Sequence, residues 1–280
     1  MAELRGMFNG RAELAAAVAD RGSYLCVGLD PDPARIPAVC GTGVAGMEAF
    51  CREIVAATAE FAVAFKPNLA FFEAYGAAGW EACARIVADI PRTCMVIADA
   101  KRGDIGNTSG RYAAALFDGL GADAVTVAPY MGEDSVRPFL EYGPGKWTVL
   151  LALTSNPGAQ DFELYGDPPL YERVIRRASG WAGPDQLMFV VGATRPEQLA
   201  RARAIAPEHF FLVPGVGAQG GSLSEVTAAG WAPGCGLLVN ASRSIVYASS
   251  GSDYAAAARK EAEAMRSEMA AELERRQRIL

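Results

Sequence analysis

Short β-branched runs alternate with longer alanine-rich amphipathic stretches along nearly the whole chain. Eight runs are apolar almost throughout: residues 24–29, 61–65, 93–98, 124–128, 148–153, 187–191, 210–213 and 237–239. Continuous rather than alternating hydrophobicity marks strands covered on both faces, as in a parallel sheet. The segments between them, such as 46–60, 77–89 and 109–120, are long enough for crossover helices. Eight β–α units in succession predict an α/β protein, a (β/α)8 TIM barrel in a single domain. The barrel core is expected over about 23–250, with an extended N-terminal segment before it. A charged helix over about 253–280 follows, carrying a thin apolar stripe of Met265, Met269 and Leu273. Pro and Gly cluster at 156–158 and 166–169, so the fifth connection reads as an elaborated loop and not a domain boundary.

Composition narrows the picture. Of 280 residues, 51% are hydrophobic, enough for a large core, and the net charge of −6 argues against a nucleic-acid partner. An anionic small molecule remains open, because charge inside a cleft outweighs the total. Charged residues (Arg5, Arg11, Glu13, Asp20) interrupt the N-terminus, so no signal peptide is expected. The sequence contains no uncharged apolar run long enough to span a membrane. The six cysteines show no C-x-x-C pair, which suits a reducing compartment and a cytoplasmic protein.

The chemistry is concentrated just after the strands. Asp30 follows the first run, Lys66 and Asn68 the second, and Asp99, Lys101 and Asp104 the third. Thr154 and Ser155 follow the fifth, Gly215–Gly221 the seventh, and Asn240, Ser242 and Arg243 the eighth. Barrel enzymes build their sites at this end of the strands. Alternation along a strand puts Asp99 and Lys101 on one face, with Ala98 and Ala100 turned to the helices. A carboxylate beside an ammonium keeps both ionised in a dry site. The glycines around Gln219 allow backbone amides to approach an anion, and Arg243 can meet phosphate oxygens in a bidentate fork. The single histidine, His209, precedes the seventh strand at the opposite end, which excludes a Ser-His-Asp triad and a multi-histidine metal site. Glu48, Glu53 and Glu60 read as a solvated helix face. On the residues alone, four readings stay open. They are a cofactor-free decarboxylase, a magnesium-dependent phosphosugar decarboxylase, a Schiff-base aldolase and a non-catalytic phosphate-binding barrel.

The motif Asp99-x-Lys101-x-x-Asp104-Ile105-x-x-Thr108, with Lys66 and Asp30 upstream, resembles the orotidine 5′-monophosphate decarboxylase family. Pro214-Gly-Val-Gly-Ala-Gln219-Gly220-Gly and Ser242-Arg243-Ser244 match the same family, and the length of the chain suits its longer bacterial subgroup. The resemblance implies decarboxylation of orotidine 5′-monophosphate to UMP in pyrimidine biosynthesis, with no cofactor and no metal. It implies that Lys101 protonates C6, that Asp99 lies against the departing carboxylate, and that Lys66 orients Asp99. It places Asp30 on the ribose, Ser155 on the pyrimidine amide edge, Pro214 in the base pocket, and Gln219, Gly220 and Arg243 on the phosphate. It also implies a homodimer in which Asp104 and Thr108 reach the neighbouring subunit's site, with Ile105 among the substrate-binding residues. Residues 222–233 would be the mobile loop closing over the phosphate.

Overall fold

The structure is a computed structural model that describes residues 8–216 and 222–277. Its centre is a closed barrel of eight parallel strands in sequence order. They are β1 (Leu25–Leu29), β2 (Ala64–Pro67), β3 (Met95–Arg102), β4 (Ala124–Val127), β5 (Trp147–Leu153), β6 (Leu187–Val191), β7 (Phe211–Pro214) and β8 (Leu237–Ala241). Closure comes from β8 pairing with β1, with Cys26 opposite Asn240.

All eight strands appear where the apolar runs predict them, but four overrun those runs at their C-terminal ends. β2 continues through Lys66-Pro67, β3 through Asp99 to Arg102, β7 to Pro214 and β8 to Ala241. The physical reason is the same for β2, β3 and β8, while β7 gains only Pro214. A run judged by hydrophobicity stops at the first polar residue, whereas the ladder continues until the chain leaves the mouth of the barrel. The residues misjudged are those that face the mouth.

Helices close the outside. α1 (Arg11–Arg21) covers the N-terminal end, α2 (Gly43–Thr58) follows β1, and α3 (Leu69–Glu73) with α4 (Gly76–Asp89) follows β2. α5 (Gly106–Ala114), continued by a π-helical turn, follows β3, and α6 (Glu133–Leu140) follows β4. The long fifth connection carries α7 (Ala159–Phe162) and α8 (Leu170–Ala178). α9 (Pro196–Ile205), α10 (Leu223–Gly230) and α11 (Arg243–Val246) follow β6, β7 and β8. The C-terminal α12 (Tyr254–Gln277) buries Ala258, Ala262 and Met269 completely. The Met269 sulfur accepts the Tyr24 amide at 3.4 Å, so α12 packs on its own barrel.

Two expectations need correction. Residues 222–233 are not a closing loop: Ser222 caps α10, its hydroxyl accepting the Glu225 amide, and the helix is the crossover between β7 and β8. Leu223, Val226, Thr227 and Gly230 are buried, so the apolar spacing was that of a barrel helix. Glu48 is not part of a solvated face either. Its side chain is 14% exposed and accepts from Arg85 Nε (2.9 Å) and Nη2 (2.8 Å), tying α2 to α4. That contact holds its carboxyl below the usual range. Glu60 lies beyond the end of α2.

At the floor of the barrel Arg203 is buried without a carboxylate among its hydrogen-bond partners. Its guanidinium donates to five carbonyls, those of Ala206 (2.8 Å), Pro207 (3.5 Å), His209 (2.6 Å), Gly230 (2.8 Å) and Gly236 (2.9 Å), and lies 3.8 Å from the Phe211 ring centroid. Burial lowers its pKa to about 9. These bonds stitch the β6–β7 and β7–β8 connections together. Arg203→Met leaves those carbonyls without donors, so unfolding in urea should show a loss of about 3 kcal/mol or more. A loss under about 1 kcal/mol would mean that water replaces the guanidinium freely.

Candidate active site

Gly28 in β1 shows how closely the mouth is built. A Cβ there would lie 2.8 Å from Ser242 Cβ and 3.1 Å from Asn240 Oδ1, so only glycine lets the end of β8 pass. Lys66 on β2 and Asp99 on β3 are both buried. Lys66 Nζ donates to Asp99 Oδ2 at 2.5 Å, and Lys101 Nζ donates to Asp99 Oδ1 at the same distance. Thr126 on β4 donates its hydroxyl to Asp99 Oδ1 (3.1 Å) and accepts the amides of Ala100 and Lys101, both at 2.9 Å.

Those two amides converge on one oxygen because β3 bulges between Ala98 and Arg102. Lys101 adopts φ +48°, a left-handed conformation that costs a non-glycine residue on the order of 1 kcal/mol. Asp99 and Lys101 do share the mouth, but through this bulge and not through plain alternation. The Thr126 hydroxyl was not anticipated. The one polar residue inside the apolar 124–128 run was the available signal.

Burial alone would raise the Asp99 carboxyl. Lys66 and Lys101 outweigh it and hold the pKa down at about 2. Burial would likewise lower Lys66, yet Asp99 and Asp30 bring it above its ordinary value. Asp99 and Lys66 therefore carry fixed charges at neutral pH, and the Lys101 side chain stands half exposed toward the opening. Cys26 lies beneath, its thiol 3.7 Å from Asn240 Oδ1 and pushed up to about 12 by burial.

Above the network opens a cavity of about 260 Å³. Lys66, Asp99, Lys101 and Thr126 form one side, Leu151, Val190 and Leu212 the apolar floor, and Thr154, Ser155, Asn156, Pro214 and Asn240 the rest. Asn68 does not line it, because its side chain caps α3 by accepting the Ala70 amide.

Asp30 lies at the end of β1 with Oδ1 buried and unpaired, and the hydroxyls of Ser242 and Ser244 are buried and unpaired as well. These orphans lie on either side of the β1–β8 seam, around the exposed Arg243 that begins α11. Arg243 forms no ion pair among the described residues. Tyr247, which the sequence did not single out, secures this corner. Its hydroxyl donates to the Asp30 carbonyl and accepts the Asp32 amide, both at 2.6 Å, while Arg35 stacks on its ring. Gln219 and Gly220 lie outside the described residues.

Asp104, Ile105 and Thr108 do not line the cavity of their own chain. Asp104 accepts the Ile105 amide at 2.7 Å, and Ile105 and Thr108 are exposed. Beside them, after β3, β4 and β5, several large apolar side chains face solvent: Ile105, Tyr130, Met131, Phe162 and Tyr165. Among the described residues no group of three or more His, Cys, Asp or Glu side chains is arranged to hold a metal ion. No described helix is long and apolar enough to cross a membrane.

Residues 23–260 match the family model described as orotidine 5′-phosphate decarboxylase / HUMPS. The chain belongs to that family. An orotidine 5′-phosphate decarboxylase of Christiangramia forsetii is 51% identical over 269 residues, covering 94% of this chain and 98% of that protein. Its counterpart in Porphyromonas gingivalis is 51% identical over 263 residues, covering 92% and 95%. Among solved structures, that of the Leishmania donovani OMP decarboxylase superposes with a TM-score of 0.78 at 41% identity, covering 92% of this chain and 98% of that one. The eight-stranded barrel that the apolar runs predict is thus the family's architecture.

Proposed function

We propose that this chain, acting as one domain, decarboxylates orotidine 5′-monophosphate to UMP and CO2 in pyrimidine biosynthesis, without metal or cofactor. The observation that carries the reading is the Lys66–Asp99–Lys101 network, ionised at the wall of an otherwise apolar cavity. As the bond from C6 to the carboxylate breaks, its electron pair stays on C6. The ammonium of Lys101 stabilises that charge and then delivers its proton there. Asp99, held ionised, faces the carboxylate and is relieved of repulsion as CO2 leaves. Lys66 holds Asp99 in place. Ser155 would read the pyrimidine edge and Pro214 would cover the base. The orphaned oxygen of Asp30 finds its partner in a ribose hydroxyl. Arg243, with Gln219 and Gly220, takes the 5′-phosphate.

The same reading gives the apolar surface after β3 to β5 a partner, a second copy of the chain. A homodimer would bury that surface and bring Asp104, Ile105 and Thr108 to the neighbouring site. A cytoplasmic mononucleotide enzyme needs no nucleic-acid face, consistent with the net charge of −6. The aldolase reading fails on charge, since Lys66 stays protonated and is a poor nucleophile.

A spectrophotometric assay with orotidine 5′-monophosphate, run before and after dialysis against EDTA, tests the proposal. Turnover should be unchanged by the chelator. Activity lost to EDTA and restored by magnesium would favour the phosphosugar branch instead.

A further inference from the structure

The long fifth connection is not needed to close the barrel, yet it returns one carboxylate to the mouth. α7 is followed by Glu163, whose carbonyl accepts the Tyr171 amide at 2.9 Å and so anchors it to α8. From there the Glu163 carboxylate accepts the Thr154 amide (Oε2, 2.7 Å) and faces the Thr154 hydroxyl with both oxygens, at 3.0 and 2.9 Å. On the other side Gly192 presses against the same loop, where a Cβ would come within 3.1 Å of the Ser155 backbone. Thr154, Ser155 and Asn156 are therefore clamped at the cavity wall.

The hydroxyl of Thr154 also lies 2.6 Å from Asn156 Oδ1. One hydroxyl proton cannot serve both a carboxylate and an amide oxygen. The charge-assisted bond is the stronger, so the proton belongs to Glu163. A half-turn of the Asn156 amide then presents its NH2 group to Thr154 and puts its oxygen at the end beside Gly158, on a side chain that lines the cavity. We propose that Glu163 is a positioning residue that sets the hydrogen-bond polarity of the pyrimidine-reading loop, through Thr154 to Asn156. The loop then offers an acceptor to a base edge that carries N3–H, and it repels an aminopyrimidine whose N3 is an acceptor. The inference rests on the proposed pyrimidine site and assigns that site its base selectivity.

Calorimetric Kd values for UMP and CMP test it. The wild type should favour UMP, and Glu163→Gln, which removes the charge that claims the Thr154 proton and puts an NH2 donor in place of one of the two acceptor oxygens, should reduce the UMP/CMP ratio about tenfold or more. Thr154→Val breaks the same relay without changing size and should reduce the ratio similarly, so a poorly folded Glu163 variant leaves the question answerable. Glu163→Asp should restore part of the ratio. An unchanged ratio in Glu163→Gln or Thr154→Val overturns the inference, even if both affinities or the melting temperature fall, since a purely structural clamp weakens both nucleotides alike. A wild type that neither decarboxylates orotidine 5′-monophosphate nor binds UMP would overturn the functional reading along with it. An active wild type whose variants keep the ratio overturns the inference alone.

Discussion

Lys101→Ala should abolish decarboxylation while leaving UMP binding largely intact. The expected loss in kcat is at least about 10³-fold, or about 4 kcal/mol of transition-state stabilisation. The reason lies in where Lys101 stands. Its ammonium approaches Asp99 from the open side of the cavity, half exposed, while Lys66 holds the other carboxylate oxygen from the buried side. Removing Lys101 takes away the proposed proton donor but leaves Asp99 one buried ion pair and the Thr126 hydroxyl, so the mouth keeps its shape. The proposed phosphate and ribose contacts would lie at the β1–β8 seam and depend on other residues. Lys66→Ala should behave differently: it leaves the buried Asp99 carboxylate only the half-exposed Lys101 and the Thr126 hydroxyl, and should cost stability as well as rate. Stopped assays and calorimetry with UMP separate the two variants. Near-normal kcat in Lys101→Ala would show that the proton comes from elsewhere.

The legible part of this protein was its repeating unit. A buried parallel strand is apolar throughout, so eight runs stood out and their order gave the barrel. The acidic and basic residues after those runs stood out for the same reason, since buried charge is costly and rarely without purpose. What escaped was whatever depended on local backbone geometry or on polar residues within apolar context. Thr126 sits inside β4 and supports the bulge that turns Lys101 into the site. Tyr247 works through two backbone groups of a distant loop, a contact no spacing rule encodes. Glu163 reaches Thr154 through a fold of the fifth connection visible in the sequence only as a cluster of Pro and Gly. The segment 222–233 misled because family resemblance suggested a loop where amphipathic spacing makes α10.

Mixing two dead variants should restore activity if the dimer shares its sites. Asp104 lies three residues beyond Lys101, yet it does not line the cavity of its own chain, and its carboxylate is turned to the Ile105 amide. The chain there has left β3 for a tight entry into α5, with Gly106 at φ +49°, beside the exposed apolar residues after β4 and β5. In an isologous dimer each copy would deliver Asp104 to the other. Lys101→Ala and Asp104→Ala should each be nearly inactive alone. After subunit exchange about half the dimers are mixed, and each mixed dimer holds one site with both native groups. Activity should therefore rise to about a quarter of wild type. If Asp104 served its own chain, one site of the mixed dimer would lack its lysine and the other its aspartate, and nothing would be regained. Native mass spectrometry establishes whether exchange has occurred. Mixed dimers that stay inactive would rule out donation in trans and return Asp104 to the site of its own chain.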